Sequence, residues 1–230
     1  MTSERKRKNT STRRAVLANE IAQAIRLRAF RPGEWLRQID LEERFQATRF
    51  DVRSALDELA VRKTIEHVPN RGYRVAEVDR KTYEEILATR IILERAAADG
   101  IVAHIDDDAI ARLEALAARF SQAVLTGSRT EQSEINRAFH QFMYSFCGNA
   151  VLEEMIWGLR DRGRGSQITV WSSHELLLKS DREHYEMMAA LKARDGQRLA
   201  ALIATHIIKG APIGPTPIEP ARPAAVTSPG

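Results

Sequence analysis

The sequence predicts a mainly α-helical protein in two parts, a small N-terminal helical unit carrying one β-hairpin and a larger antiparallel all-α bundle. Three observations lead there. Apolar residues recur at helical spacing along most of the 230 residues, and glycine and proline are sparse until the last twenty. Two adjacent β-prone runs, 64–68 and 72–75, bracket a strong turn at Pro69-Asn70-Arg71. Charge is divided as well: residues 1–75 carry 17 Lys/Arg against 10 Asp/Glu, a net of +7, and the remainder nets −3.

Composition narrows the class. With 43% hydrophobic and 29% charged residues, the chain has the make-up of an ordinary globular protein able to build a core. A basic front on an acidic back implies that only the front meets a polyanion, either nucleic acid or an anionic membrane surface. Cys147 is the one cysteine, so no internal disulfide forms and a reducing cytoplasm is expected. The basic N-terminus has no apolar run behind it to make a secretory signal. No stretch approaches the roughly 18 apolar residues of a membrane helix, so a cytoplasmic protein with no membrane partner is expected.

Residues 1–12, with Arg5, Lys6, Arg7 and Lys8 among Ser, Thr and Asn, lack apolar periodicity. They read as a disordered basic arm, which either reaches DNA or is a solvated tail. From residue 13, Val16, Leu17, Ile21, Ala24, Ile25 and Leu27 mark a helix ending near Phe30, because Arg31-Pro32-Gly33 is a turn. Trp35-Leu36 is a short extended piece, and a second helix spans about 39–45. Gln46-Ala47-Thr48 then turns tightly, with Thr48 placed as an N-cap accepting from the Asp51 N–H. The helix it opens buries Val52, Ala55, Leu56 and Leu59 and presents Arg49 and Arg53, four apart, on one outer face. Two helices joined by a tight turn and followed by a hairpin tipped with Arg71 describe a winged helix-turn-helix over residues 13–78. On spacing alone the two arginines either donate to guanine O6 and N7 or pair with Asp57 and Glu58.

The segment from Leu17 to Val75 resembles the GntR family of bacterial regulators. The likeness is carried by Pro32-Gly33, Leu36, Leu41, Thr48-Arg49, Val52-Arg53, Ala55-Leu56, Leu59 and Asn70-Arg71-Gly72-Tyr73-Arg74-Val75. It implies double-stranded operator DNA as partner, contacted by Thr48, Arg49 and Arg53, with Arg71 and Gly72 on the wing. The chain departs at Phe50-Asp51, where the family usually has a small or polar residue often followed by proline, and at Ser54, where Glu is common. An aspartate near phosphates is unfavourable unless it caps the helix or accepts from a cytosine amino group.

Behind Asp79, an expected N-cap, helical patterning takes over. Ile86, Leu87, Ile91, Leu93, Ala97 and Ile101 mark a helix over about 80–104. Asp106-Asp107-Asp108 opens the next, as the helix dipole favours, and it runs to about Leu125. Further helices are expected over about 131–146, 151–159, 168–178, 181–193 and 196–209, with a break at 160–165. This makes residues 79–209 an antiparallel bundle. Residues 210–230, dense in Pro and Ala, read as a disordered tail. His67, His104 and His174 are expected on the surface, and Trp157 and Trp171 either line a cavity or pack in the core. Asn136 and His140 lie four apart on one face, with His184 and His206 on two later helices. Inward-facing histidines of this kind either build a metal site or hydrogen-bond within the core.

Arg90-x-x-Leu93-Glu94, Asn136-x-x-x-His140, Cys147-Gly148-Asn149, Glu183-His184, Asp195 and His206-Ile207 resemble the FCD ligand-sensing domain of the FadR subfamily within GntR. That resemblance implies a divalent metal, zinc foremost with nickel or manganese as alternatives, held by Asn136, His140, His184 and His206. Asparagine in place of the usual aspartate would leave the metal more positive. It also implies a small carboxylate effector, with Arg90 facing its cavity; an Arg90–Glu94 ion pair is the competing assignment. Together the two likenesses imply a ligand-responsive repressor that binds a palindromic operator as a homodimer. Two other classes stand beside it: a DNA-binding protein whose bundle only dimerises, and a metal-dependent hydrolase. Against the enzyme, the chain has no His-Glu-x-x-His, no nucleophile elbow and no paired carboxylates beside the histidines.

Overall fold

The computed structural model describes residues 2–27, 29–163 and 173–208. The N-terminal unit comprises α1 (Thr2–Arg26), β1 (Trp35–Leu36), α2 (Gln38–Phe45), α3 (Arg49–Val61), β2 (Ile65–Val68) and β3 (Gly72–Val75). The helical unit comprises α4 (Arg80–Ala96), α5 (Ala98–His104), α6 (Asp107–Thr126), α7 (Arg129–Tyr144), α8 (Ala150–Gly163), α9 (His174–Lys192) and α10 (Gly196–Ile208). The expected tail at 210–230 and Trp171 lie outside the described residues.

In the first unit Leu17, Ile21 and Ile25 of α1 close against Leu41 of α2 and Val52, Leu56 and Leu59 of α3. The three strands form an antiparallel sheet in the order β1-β3-β2, with Trp35 opposite Arg74 and His67 opposite Tyr73. Strand β3 sends Tyr73 and Val75 into that same core. Val16, expected inside, is half-exposed, and Ala18 and Ala22 are buried instead.

The basic arm expected to be disordered is helical from Thr2 onward. The physical reason is propagation: Leu17 to Ile25 pack and nucleate the helix, and Glu4, Arg5, Lys6, Arg7 and Lys8 are helix formers that extend it at little cost.

In the bundle, α6 packs on α7 and α9, α10 on α4, α5 and α9, and α8 on α4. Phe139, Met143, Leu113, Met187, Leu191 and Ile203 meet in its core. Asp79, Asp106, Ser128 and Ser173 cap α4, α6, α7 and α9 through side-chain oxygens that accept backbone N–H groups. The single helix expected over 80–104 is two helices meeting at Ala97. At that junction α5 comes into backbone contact with the chain after α7: a side chain of any size at Gly100 would collide with the Cys147 carbonyl. The break expected at 160–165 is absent through Gly163, because Arg160 and Asp161 are tied to partners on other helices. The two helices expected over 168–193 are one from His174. Ser180, which falls between the two expected spans, is buried on the inward face.

Candidate nucleic-acid interface and metal centre

The turn into α3 is built by reciprocal bonds. Thr48 Oγ1 accepts from the Asp51 N–H at 3.2 Å, as expected, and its own hydroxyl donates to Asp51 Oδ2 at 2.8 Å. Asp51 is therefore folded back and only 6% exposed, so of its two possible roles it takes the cap. Gln46 makes the turn from α2 in a left-handed conformation at φ 49°. Arg49, Phe50 and Arg53 are all exposed on the outer face of α3. The acidic neighbours that could have claimed the arginines have other partners. Asp57 accepts from the Tyr73 hydroxyl at 2.5 Å, and Glu58 pairs with Arg62. Burial, then the Asp57 bond, pushes the Tyr73 hydroxyl up to about 12, against the opposing pull of Arg53, which hydrogen-bonds the same hydroxyl.

Between β2 and β3 the chain turns through Asn70 at φ 61° and Gly72 at φ 99°. Gly72 is where glycine is needed, since that backbone region disfavours a Cβ. Arg71 is exposed at the tip, its guanidinium 5.0 Å from the Trp35 ring.

In the bundle, His140 of α7, His184 of α9 and His206 of α10 converge. Their side chains are buried and one ligand atom from each lies within 4.8 Å of the others. His140 Nε2 and His206 Nε2 are 2.9 Å apart. Two nitrogens bound to one zinc at about 2.1 Å stand roughly 3.0–3.4 Å apart, so a small opening of the pair accommodates an ion. Glu183 Oε2 accepts from His206 Nδ1 at 2.8 Å, which turns the His206 Nε2 lone pair toward the cluster. Asn136, one turn before His140, is 4% exposed, and its Oδ1 is a buried acceptor with no hydrogen-bond partner among the described residues. Three imidazoles and an unsatisfied carbonyl oxygen are a donor set suited to a divalent transition metal, so the residues fit the group. His67, His104 and His174 are exposed, as expected.

Beside this cluster lies a buried charge centre that the sequence did not reveal. Glu94 of α4 accepts from Arg160 Nη2 at 2.6 Å, Arg160 Nε at 3.1 Å and Tyr144 Oη at 2.6 Å. Arg90 Nε also donates to Glu94, at 2.8 Å, so Arg90 forms the ion pair that was its competing assignment. Burial pushes the Glu94 carboxyl up, but Arg160 and then Arg90 outweigh it and hold the group at about 2. Tyr144 is one turn from His140, and their rings stack 6.3 Å apart.

The two units touch through α1. Arg137 of α7, adjacent to Asn136, donates twice to Asp161 of α8, and Arg26 of α1 stands 4.0 Å from the same carboxylate. Gln23 of α1 donates to Glu134 of α7 at 3.1 Å, and a cleft of about 330 Å³ opens between the two helices. Glu94, Arg160, Asp161 and Arg137 are the residues that sequence reasoning missed or left without this role. Only the Arg90–Glu94 spacing of four hinted at any of them.

A winged helix-turn-helix with an arginine-bearing outer face, joined to a helical bundle with a buried polar centre, defines a DNA-binding regulator with a helical C-terminal domain. The chain belongs to the GntR family: residues 14–75 match the family described as bacterial regulatory proteins, gntR family, and residues 85–209 match the FCD domain. It is 28% identical over 179 residues to the HTH-type transcriptional regulator McbR of Escherichia coli (strain K12), covering 77% of this chain and 81% of that protein. It is 26% identical over 193 residues to the HTH-type transcriptional repressor GlaR of the same organism, covering 80% and 87%. The solved structure of E. coli McbR/YncC has a TM-score of 0.77 at 25% identity, covering 85% of this chain and 93% of that one. The chain is thus a DNA-binding transcriptional regulator and not an enzyme. Among the described residues no helix is long and apolar enough to cross a membrane.

Proposed function

We propose that this regulator is a metal-dependent sensor of a small carboxylate, and a repressor that binds a palindromic operator as a homodimer. The observation that carries the sensing half is the convergence of His140, His184 and His206 on one buried point, with the unsatisfied Asn136 oxygen buried one turn before His140 on α7. These four residues would hold the metal, with Glu183 orienting His206. When bound, a divalent cation supplies the positive charge that receives a carboxylate in an interior otherwise hostile to anions. Arg90 would contribute from the Glu94 side, since an arginine has five donors and Glu94 engages the one on Nε.

On the DNA side, Thr48, Arg49 and Arg53 would enter the major groove, while Arg71 and Gly72 bring the wing to the backbone or minor groove. A two-fold dimer would set two such helices one or more helical turns apart on a palindrome. Residues 13–78 and 79–209 would act as two bodies meeting at Asp79. A carboxylate changes operator affinity only if it binds the two states unequally, typically by 1–3 kcal/mol.

The test is elemental analysis of the purified protein and of His140→Ala, followed by operator titrations with and without chelator and a panel of small carboxylates. About one zinc, nickel or manganese per chain, lost in the variant, is expected, together with an operator isotherm that at least one acid displaces. Absence of metal in both proteins would overturn the metal centre. A flat response to every acid would leave the bundle as a dimerisation unit alone.

A further inference from the structure

The recognition helix carries one feature that neither arginine accounts for. Of the apolar residues of α3, Val52, Ala55, Leu56 and Leu59 are fully buried, whereas Val61 at its C-terminal end and Phe50, 62% exposed in its first turn, are not. An isolated exposed apolar residue is commonplace, but this one sits in the first turn of the helix, whose N-terminal residues are those that reach base edges. At about 100° per residue, Arg53 lies between Arg49 and Phe50 on the helical wheel, about 40° from the first and about 60° from the second. Ring and guanidiniums therefore share one outer face.

Two neighbours shape how the ring is presented. The guanidinium of Arg14, from α1, stands 4.4 Å from its centroid, a cation–π contact that holds one ring face in the free protein. Asp51, the next residue, turns its carboxylate back onto Thr48 and is buried, which keeps it off the outer surface beside the ring. What remains is an apolar surface framed by arginines. A phenyl ring cannot bond phosphate oxygens or the polar edges of bases. The one apolar group that a base pair offers in the major groove is the thymine C5-methyl.

We propose that Phe50 is a specificity-determining residue that contacts a thymine methyl beside the base pair read by Arg53. The inference rests on the DNA-binding reading of α3 and adds to it which base the non-arginine position selects. Burying one methyl group against the ring sets the expected scale at about fivefold in affinity, equivalent to about 1 kcal/mol.

The experiment uses the full chain. Sites are selected from a randomised duplex pool with the wild-type protein, Phe50→Ala and Phe50→Leu. Each thymine of the wild-type site is then replaced singly by deoxyuridine, which removes the methyl and leaves every hydrogen-bonding group in place. Affinities are read by fluorescence anisotropy at fixed salt. The expected result is one thymine per half-site whose replacement weakens wild-type binding about fivefold. Phe50→Ala should ignore that replacement and lose preference at that position alone, and Phe50→Leu should retain part of it. Because Phe50 is exposed and the substitutions remove only its surface contact with Arg14, all three proteins should melt within a few degrees of one another. Uniform tolerance of deoxyuridine by a wild-type protein that still binds its site and still requires Arg53 would overturn the proposal and leave DNA reading by α3 intact. Failure of the wild-type protein to enrich any site would overturn both.

Discussion

Arg137 of α7 grips Asp161 of α8 with both terminal nitrogens, at 2.6 and 3.2 Å, and the same carboxylate faces Arg26 of α1 at 4.0 Å. One acidic side chain thus separates two guanidiniums, one from the DNA-binding unit and one from the residue adjoining Asn136. Burial lowers the Arg26 pKa, Asp161 opposes that, and Arg137 adds to it, so Asp161 offsets part of the cost of burying the Arg26 charge.

Asp161→Asn should therefore loosen the junction between the units. A two-point, partly buried pair contributes about 1 kcal/mol, more than a typical exposed one. For a chain of this length that shifts Tm by roughly 2–4 °C. Scanning calorimetry should show the drop together with a broadened or split transition as the N-terminal unit melts independently. A single sharp transition at the wild-type temperature would refute the role given to Asp161.

Glu183→Gln removes the carboxylate that orients His206 and leaves all four proposed ligands in place. Loss of such an outer partner typically weakens metal binding by 10–100-fold. Competition against a chromogenic chelator should show a loss of that size with the fold unchanged by circular dichroism. Equal retention by variant and wild type would mean that the Glu183–His206 bond is only structural.

Acid should strike at Glu94. Its folded pKa of about 2 lies below the ordinary glutamate value of 4.5, so the stability it contributes is complete above pH 4.5 and is lost as the pH falls toward 2. The shift corresponds to roughly 3 kcal/mol. Glu94→Gln should be destabilised by roughly 3–5 kcal/mol at pH 7, because Arg160 is then buried without its counter-charge. Urea titrations at stepped pH should show the gap between the two proteins closing below pH 4.5. A gap independent of pH would show that Glu94 does not titrate in this window.

Thr48→Ala removes both halves of the Thr48–Asp51 exchange. Cap losses of this kind cost about 0.5–2 kcal/mol, and here the variant also leaves Asp51 Oδ2 without its donor. Urea unfolding should register that loss, and Thr48→Ser should restore most of it. If serine behaves like alanine, the threonine methyl rather than the hydroxyl holds the turn.

Elements whose chemistry is local were legible in the sequence. Thr48 announces its helix because an N-cap acts three residues away, and the wing follows from the turn residues at 69–72. Patterning likewise placed α6, α7 and α10 within a few residues. The pairing of Glu94 with Arg160 spans 66 positions, and Arg137 with Asp161 spans 24, so no periodicity reports them. Those pairs also explain why an Arg/Gly-rich stretch that looks like a break continues as helix to Gly163. The four residues proposed as metal ligands were gathered by family resemblance. Spacing alone favoured histidines hydrogen-bonded within the core over a metal site, and Ser180, one turn before His184, had no signal beyond its polarity.

The contact between Gly100 and the Cys147 carbonyl has a mechanical meaning. Backbone lies on backbone there, with no side chain to compress, so the C-terminal end of α7 is fixed to α5 as a fulcrum. Toward its N-terminal end α7 packs Ile135 against Phe120, Val124 and Leu177, while its α1-facing side near Glu134 meets Gln23 beside an open cleft. At 1.5 Å per residue, Arg137 lies about 15 Å along the lever from Cys147. A tilt of about 5° at the fulcrum moves Arg137 by roughly 1 Å, comparable to the small helix shifts that switch other proteins. The grip on Asp161 is where such a displacement would first be felt.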